Sequence, residues 1–183
     1  YWAHNTDPDY ITFSGSGEPC LNSDLGRAIA YIKEKKPHIQ VAVLTNATLL
    51  TDKSVREELA LADLVVPSLD GVSQSAFTRI NRPCQGLDPE EILVGIQTFA
   101  REFKGKLNLE IFIVPGVNDT PEELDLFKTA ILSIDPDLVQ LNTLDRPGTR
   151  EDILPASRET LEQIKKELAM DNIQIIARVP KIE

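Results

Sequence analysis

Strand-forming and helix-forming segments alternate along the 183-residue chain, and this alternation limits the folds open to it. The strand candidates are short runs rich in aliphatic and β-branched residues, several of them almost continuously apolar. They lie at 10–13, 39–44, 64–66, 107–114, 138–141 and 173–177. Near-continuous apolar strands separated by helices are typical of parallel sheets covered by helices, so the pattern predicts an α/β fold with right-handed crossovers. Six strands are too few for an eight-stranded barrel; an open partial barrel and a doubly wound sheet both fit.

The segments between the strands carry helix signals. Asp88, Pro89 and Glu91 form a capping box with proline at the first helical position, and 120–123 has the same pattern. Apolar residues then recur at helical spacing. Helices are predicted at 24–36, 51–61, 73–80, 88–103, 120–133 and 157–170.

Composition and charge narrow the class of protein. The chain is 42% hydrophobic and 26% charged, as in ordinary soluble α/β proteins, and it is long enough to bury one core. No apolar run reaches membrane-spanning length, so we expect a cytoplasmic protein with no membrane partner. The net charge of −10 argues against a basic nucleic-acid surface on this segment, and nucleic acid is not an expected partner of it.

Few side chains suit common catalytic devices. Cys20 and Cys84 are far apart and form no metal-binding motif, so we interpret them as reduced thiols. His4 and His38 are the only histidines, and no Ser–His–Asp or Cys–His pair is evident. No predicted strand ends on a lysine, as a Schiff-base lyase would require, and no phosphate-binding glycine fingerprint occurs.

Polar residues instead collect where the first five strands end. In a parallel sheet these ends share one edge, and ligands bind there. The residues are 14–18, Thr45 and Asn46, Ser68 and Asp70, 115–118, and Asn142 with Thr143. Their hydroxyls, amides and carboxylates suit a ligand with an amino group, a carboxylate and a sugar. The carboxylate of Glu18 would repel a phosphate and attract an ammonium group.

These strand ends resemble those of the radical S-adenosylmethionine (radical SAM) superfamily. Ser16-Gly17-Glu18-Pro19 is similar to its Gly-Gly-Glu-Pro motif, which engages the amino group of the cofactor's methionine moiety. Thr45-Asn46 resembles the Thr-Asn-Gly that often ends the next strand, although Ala47 departs from the glycine. Ser68-Leu69-Asp70 is similar to a segment that reaches the ribose or the methionine carboxylate, and Asn142 lies where a strand approaches the adenine. The resemblance thus implies that S-adenosylmethionine binds Ser16, Gly17, Glu18, Pro19, Thr45, Asn46, Ser68, Asp70 and Asn142.

Within the superfamily, the chain is most similar to a branch related to the wyosine-synthesis-like iron–sulfur oxidoreductases. The matching segments are 11–19, 67–70, 79–83, 115–119 and 140–143. This resemblance covers roughly residues 9–148 and implies a six-stranded parallel partial TIM barrel with helices on the outside. We expect residues 1–183 to form one domain, with 149–183 as a C-terminal helix–strand extension.

The family's Cys-x-x-x-Cys-x-x-Cys loop, which holds a [4Fe–4S] cluster, has no counterpart in the chain. Two cysteines cannot supply three thiolate ligands, so we expect the cluster loop to precede residue 1 and this chain alone to be inactive. The resemblance implies an oxidoreductase that reductively cleaves S-adenosylmethionine to a 5′-deoxyadenosyl radical, which abstracts hydrogen from an unknown substrate. A reductant protein such as a flavodoxin or ferredoxin would be its partner. The alternative is a non-catalytic module that binds a small molecule or a protein at the same edge.

The sequence does not say which face of the sheet the Glu110 side chain lies on. Glu110 lies inside a predicted strand, on the same face as Asn108 and Phe112, and alternation alone does not say which face that is. An inward-facing charge would need a partner. The candidates are Arg79, Arg82 and Arg146.

Overall fold

Six parallel strands form one sheet in the computed structural model, which describes residues 6–145 and 153–177. The strands are β1 (Tyr10–Phe13), β2 (Gln40–Thr45), β3 (Leu64–Pro67), β4 (Lys106–Phe112), β5 (Leu138–Asn142) and β6 (Ile173–Ile175). Their order in the sheet is their order in the chain, so the chain always winds in the same direction. The doubly wound alternative is therefore wrong, and the fold is the predicted α/β partial TIM barrel with helices on the outside.

Helices connect the strands at the predicted places. They are α1 (Leu25–Lys35), α2 (Lys53–Leu59), α3 (Gln74–Asn81), α4 (Pro89–Glu102), α5 (Pro121–Ile134) and α6 (Arg158–Leu168), with a short 3₁₀ turn at Pro19–Leu21. The Asp88 side chain accepts a hydrogen bond from the backbone N–H of Glu90, and that of Thr120 accepts one from Glu123. These caps satisfy amides that the first helical turn leaves unpaired. No helix in the described ranges is both long and apolar enough to cross a membrane.

The two faces of the sheet differ because side chains alternate along each strand. One face packs against the helices and is fully buried at Val41, Val43, Val65, Leu109, Ile111, Val139 and Leu141. We call the opposite face the inner face. Its strand positions include Thr12, Ala42, Val66, Asn108, Glu110, Phe112, Gln140 and Asn142. Several of these side chains are polar and only half-buried, so the inner face remains open to a ligand.

Two aspartates hold the edge at which the strands begin. Asp63 Oδ2 accepts a hydrogen bond of 2.8 Å from the backbone N–H of Val41, and Asp137 Oδ2 accepts one of 2.7 Å from Leu107. Each aspartate immediately precedes a strand and also donates its own N–H to the neighbouring strand. The register of the strands is thus set at the edge where they begin. We call the opposite edge, where the strands end, the carboxyl edge.

Among the described residues, four that are not glycine adopt the left-handed backbone conformation, and two of them are alanines. Ala169 ends α6 with φ of 55° and is exposed. Ala47 follows β2 with φ of 64°, and its methyl group is completely buried in the core. Ala47 occupies the place of the glycine in the Thr-Asn-Gly pattern, and its positive φ explains why glycine suits that place.

Replacing each of these alanines with glycine separates backbone strain from burial. Ala169→Gly should raise the free energy of unfolding by about 0.5–1 kcal/mol, because glycine relieves the left-handed strain and nothing buried is lost. Ala47→Gly should gain little, because loss of the buried methyl costs about 0.8 kcal/mol. Urea denaturation of both variants measures the difference. An equal gain from both would show that the Ala47 methyl contributes nothing to the core.

Candidate functional site

Glu18 follows β1 at the carboxyl edge and joins the 14–18 loop to β2. Its Oε1 accepts hydrogen bonds from the Thr45 hydroxyl at 2.6 Å and from the Cys20 backbone N–H at 3.1 Å. Its Oε2 accepts one of 2.7 Å from the backbone N–H of Asn46. Three of roughly four acceptor positions of the carboxylate are therefore used within the chain. The side chain caps the Pro19–Leu21 turn and holds the loop against the end of β2.

Cys20 lies beneath this loop as a buried, protonated thiol. Its Sγ donates a hydrogen bond to Thr45 Oγ1 at 3.4 Å. Burial raises the pKa of the thiol to about 12. A thiol with so high a pKa is a poor nucleophile and a poor metal ligand at neutral pH, which agrees with the interpretation of Cys20 as a reduced thiol. Cys84 is exposed, and both cysteines are free thiols.

The end of β3 is bonded to both neighbouring strands. The Ser68 N–H donates to the Thr45 carbonyl, and the Leu69 N–H donates to the Glu110 carbonyl, each at 2.9 Å. Asp70 then uses its carboxylate inside the fold: Oδ1 accepts from the Phe112 N–H at 3.0 Å, and Oδ2 accepts from the Asn81 side-chain amide at 2.9 Å. Both Asp70 oxygens are thus anchored, and they connect β3 with β4 and with the end of α3.

The environment of Asp70 makes its carboxyl group harder to ionise than an exposed one. Burial raises the pKa of Asp70 from an ordinary value of 3.8 to about 6. The bonds from Phe112 and Asn81 act in the opposite direction, and the negative charge of Glu110 adds to the increase. Two carboxylates therefore share this part of the carboxyl edge, and the pKa of one responds to the charge of the other.

Two further side chains shape the edge. Asn118 belongs to the predicted polar strand ends but not to the predicted cofactor-binding residues, and the residue patterns gave Glu123 only a capping role. Asn118 is completely buried. Its side-chain oxygen accepts a hydrogen bond from the Val114 N–H at 2.7 Å, and its NH₂ group donates to the carbonyls of Asp70 and Phe112 at 2.8 Å. Buried Glu123 accepts from the Val72 and Ser73 N–H groups. The predicted capping box of α5 is thus wrong in part, because the Glu123 carboxylate reaches the loop after β3. A polar residue in the turn after β4 was the available signal for Asn118.

Glu110 lies on the inner face, which settles its direction. Its side chain is half-buried, and its Oε1 accepts a hydrogen bond of 2.8 Å from the Asn142 side-chain amide. In register, Glu110 lies between Ser68, the residue that follows β3, and Gln140 on β5. The expected arginine partner is not found in the described residues, where neither Arg79 nor Arg82 forms an ion pair with Glu110. Arg79 instead donates to the Gly116 carbonyl. Arg146, like His4, lies outside the described residues.

A continuous path of hydrogen bonds crosses the carboxyl edge from β1 to β5. It runs from Glu18 to Thr45, from the Thr45 carbonyl to Ser68, from Leu69 to the Glu110 carbonyl, and from the Glu110 side chain to Asn142. The structure therefore places the predicted site residues of all five strands on one edge. Ser16 and Gly17 are exposed next to this path, and Pro19 begins the turn that Glu18 caps.

The described residues contain no group of three or more His, Cys, Asp or Glu side chains that could hold a metal ion. The only histidine in those ranges, His38, lies just before β2 begins, and its ring contacts Asp7 at 2.6 Å. A ligand at the carboxyl edge would instead meet hydroxyls, amides and carboxylates.

Comparison with known proteins identifies related chains. Residues 3–128 match the sequence profile of the Radical SAM superfamily. The "UPF0026 protein slr1464" of Synechocystis is 45% identical over 139 residues, which cover 76% of this chain and 51% of that protein. A Brachyspira hyodysenteriae protein named "GTPase Obg" is 40% identical over 163 residues, which cover 89% of this chain and 24% of that protein. The chain thus spans about half or less of the length of these relatives.

A solved structure supports the same architecture. A domain of pyruvate-formate lyase-activating enzyme from Bacteroides vulgatus superimposes with a TM-score of 0.68 at 23% identity. The match covers 90% of this chain and 97% of that domain. At this level of identity the likeness concerns the fold, and it agrees with the partial barrel described above.

The Glu18–Thr45 bond should be measurable as a coupling energy. Glu18→Gln should lower the free energy of unfolding by about 1–2 kcal/mol, because the NH₂ group of glutamine cannot accept a hydrogen bond from the donors that face the Glu18 carboxylate. Combined with Thr45→Val in a double-mutant cycle, the two changes should couple by about 1 kcal/mol. Glu34→Gln, on an exposed helix position, is the control and should change stability by less than about 0.5 kcal/mol. Additive effects of Glu18→Gln and Thr45→Val would contradict the bond.

Asp70 should titrate near pH 6, which carboxyl ¹³C NMR can follow. Asp52, whose pKa is lowered chiefly by the Ser54 hydroxyl, is the control and should titrate below 3.8. Between about pH 4 and 6 the folded state holds a proton on Asp70 that the unfolded state has released. Ionisation of Asp70 therefore lowers the free energy of unfolding as pH rises from about 4 to 6. Asp70→Asn should remove this contribution to the pH dependence. Glu110→Gln should lower the Asp70 midpoint, whereas a midpoint near 4 in the unmodified protein would contradict the burial of Asp70.

Proposed function

This chain belongs to the radical SAM superfamily, and we propose that its carboxyl edge binds S-adenosylmethionine as part of a radical-forming oxidoreductase. When bound beside a reduced [4Fe–4S] cluster, this cofactor supplies a carbon-centred radical that abstracts hydrogen from a substrate. In the intact protein, the cluster would be held by residues outside this chain. A flavodoxin or ferredoxin would supply the electron that reduces it.

The observation that carries the proposal is the hydrogen-bonded path from Glu18 to Asn142. It holds the ends of five strands together as one surface, as a ligand that spans several strands requires. The surface offers donors and acceptors of the kinds that an amino acid and a ribose need. Its acidic residues, Glu18 and Asp70, suit a cofactor whose ammonium and sulfonium groups carry positive charge.

We infer different tasks for the residues of the Ser16–Pro19 motif from their hydrogen bonds and exposure. Glu18 is bonded to Thr45, Asn46 and Cys20, so its main contribution is to orient the loop. Ser16 and Gly17 are exposed and present their backbone groups at the edge. Under this proposal, the backbone of the loop receives the methionine ammonium, and Glu18 keeps the loop in place and supplies a nearby negative charge.

The residues of this chain do not fit an iron–sulfur cluster. Cys20 is buried with a raised pKa, Cys84 is exposed in a distant loop, and three thiolates are needed. The described residues also contain no alternative metal-binding group. The proposal therefore gives this chain the cofactor-binding edge and the inner face, and gives cluster binding to another part of the intact protein.

The test uses the intact protein, reconstituted with iron and sulfide under anaerobic conditions and reduced with dithionite. It should form 5′-deoxyadenosine from S-adenosylmethionine. Glu18→Ala should lower the rate at least about tenfold, because the loop loses its anchor and its charge. Glu34→Ala is the matched surface control and should keep the rate. Circular dichroism checks that both variants remain folded.

The result also decides between the enzyme and the non-catalytic alternative. A protein that carries its cluster, binds S-adenosylmethionine in calorimetry and forms no 5′-deoxyadenosine would be a binding module. A protein that carries its cluster and binds no S-adenosylmethionine would overturn the proposal for the carboxyl edge altogether.

A further inference from the structure

Glu110 is unusual among the residues of the inner face because it carries a charge. The other charged strand residue on this face in the described ranges is Lys106, four positions earlier on β4. At about 3.3 Å per residue it lies about 13 Å away along the strand, too far for an ion pair. The remaining inner-face positions near Glu110 are Asn108, Phe112, Gln140 and Asn142, which are neutral.

The Glu110 carboxylate is held in place but not neutralised. Asn142 donates one hydrogen bond to Oε1 at 2.8 Å, and none of the ion pairs among the described residues involves either Glu110 oxygen. A carboxylate can accept about four hydrogen bonds. A half-buried charge with a single neutral donor is costly unless a further partner satisfies it. Asp70 does not balance this charge either, because it is itself a carboxyl group, whose pKa is raised chiefly by burial and also by repulsion from Glu110.

Building on the proposed function, we infer that Glu110 recognises a cationic nitrogen of the substrate, an ammonium or guanidinium group, and that Asn142 positions Glu110 for this contact. Oε2 and the remaining lone pair of Oε1 would accept its N–H groups. Half-buried Phe112, two residues further on the same face, would lie beside the cation or its carbon chain. The overall charge of −10 would favour the approach of such a substrate.

The position of Glu110 favours the substrate over the cofactor as the source of the cation. The loop proposed to hold the cofactor's ammonium follows β1, whereas Glu110 lies on β4. Three strand spacings of about 4.8 Å place the two strands about 14 Å apart across the sheet. Glu110 also lies two residues before the end of β4, within the inner face rather than in a loop beyond the strand. A substrate on the inner face would reach it there.

The test uses methylguanidinium as the probe, and the intact protein labelled with ¹³C in its glutamate carboxyl groups. The Glu110 signal, assigned by its loss in Glu110→Gln, should shift saturably with methylguanidinium at constant ionic strength. Neutral methylurea should bind at least about tenfold more weakly, because it lacks the charge. Asn142→Ala should weaken methylguanidinium binding at least about threefold, and Glu34→Gln should leave it unchanged.

Three outcomes would overturn the inference: no saturable shift at Glu110, equal shifts with methylurea, or complete displacement of the probe by S-adenosylmethionine. The last outcome would assign the cation to the cofactor. Formation of 5′-deoxyadenosine, measured on the same preparations, separates the two proposals. Cleavage without probe binding refutes only the role of Glu110, and saturable probe binding without cleavage refutes only the proposed function. Probe binding that persists with S-adenosylmethionine present would support the inference.

Discussion

Carboxylates that accept backbone N–H groups hold this sheet together at both of its edges. Every strand end leaves amides without a partner in the ladder, and an unpaired buried amide is costly. Asp63 and Asp137 accept such amides where strands begin, and Glu18 and Asp70 accept them where strands end. A charged acceptor makes a stronger hydrogen bond than a neutral one, so a few short side chains suffice to fix the register and the loops.

This use of carboxylates changes how the candidate site is understood. Glu18 and Asp70 resemble ligand-binding residues in sequence, yet Glu18 directs three of about four acceptor positions into the fold, and both Asp70 oxygens accept a bond there. Their first effect is therefore to place neighbouring backbone and side chains. Under the proposed function, a ligand would meet the surface that these residues organise, together with their negative charge. Glu110 differs from them, because it has a single bond from Asn142 and lies on the open inner face.

The acidic balance of the chain follows in part from the same arrangement. Asp70, Asp137 and Glu123 accept backbone N–H groups, whose dipoles stabilise the negative charge without a basic side chain. Asp63 accepts a backbone N–H group and also pairs with Lys33. Asp70 shows the cost, because burial and the charge of Glu110 raise its pKa to about 6. A protein built in this way presents a negative carboxyl edge, which suits a positively charged ligand better than a phosphate.

The amino-acid sequence by itself determined the strand and helix order, because hydrophobic periodicity, caps and prolines are local signals, and it indicated the edge at which polar residues collect. It did not decide between a partial barrel and a doubly wound sheet, since both have the same local pattern; the sequential strand order decided that. It also left open the direction of Glu110 and missed the tasks of Asn118 and Glu123. Those depend on contacts between residues 32 to 51 positions apart, such as Glu110 with Asn142, Asn118 with Asp70 and Glu123 with Val72. Only the packing of strands, loops and helices against one another brings such residues together, so only the tertiary structure could show which carboxylate is engaged in the fold and which one faces the open sheet.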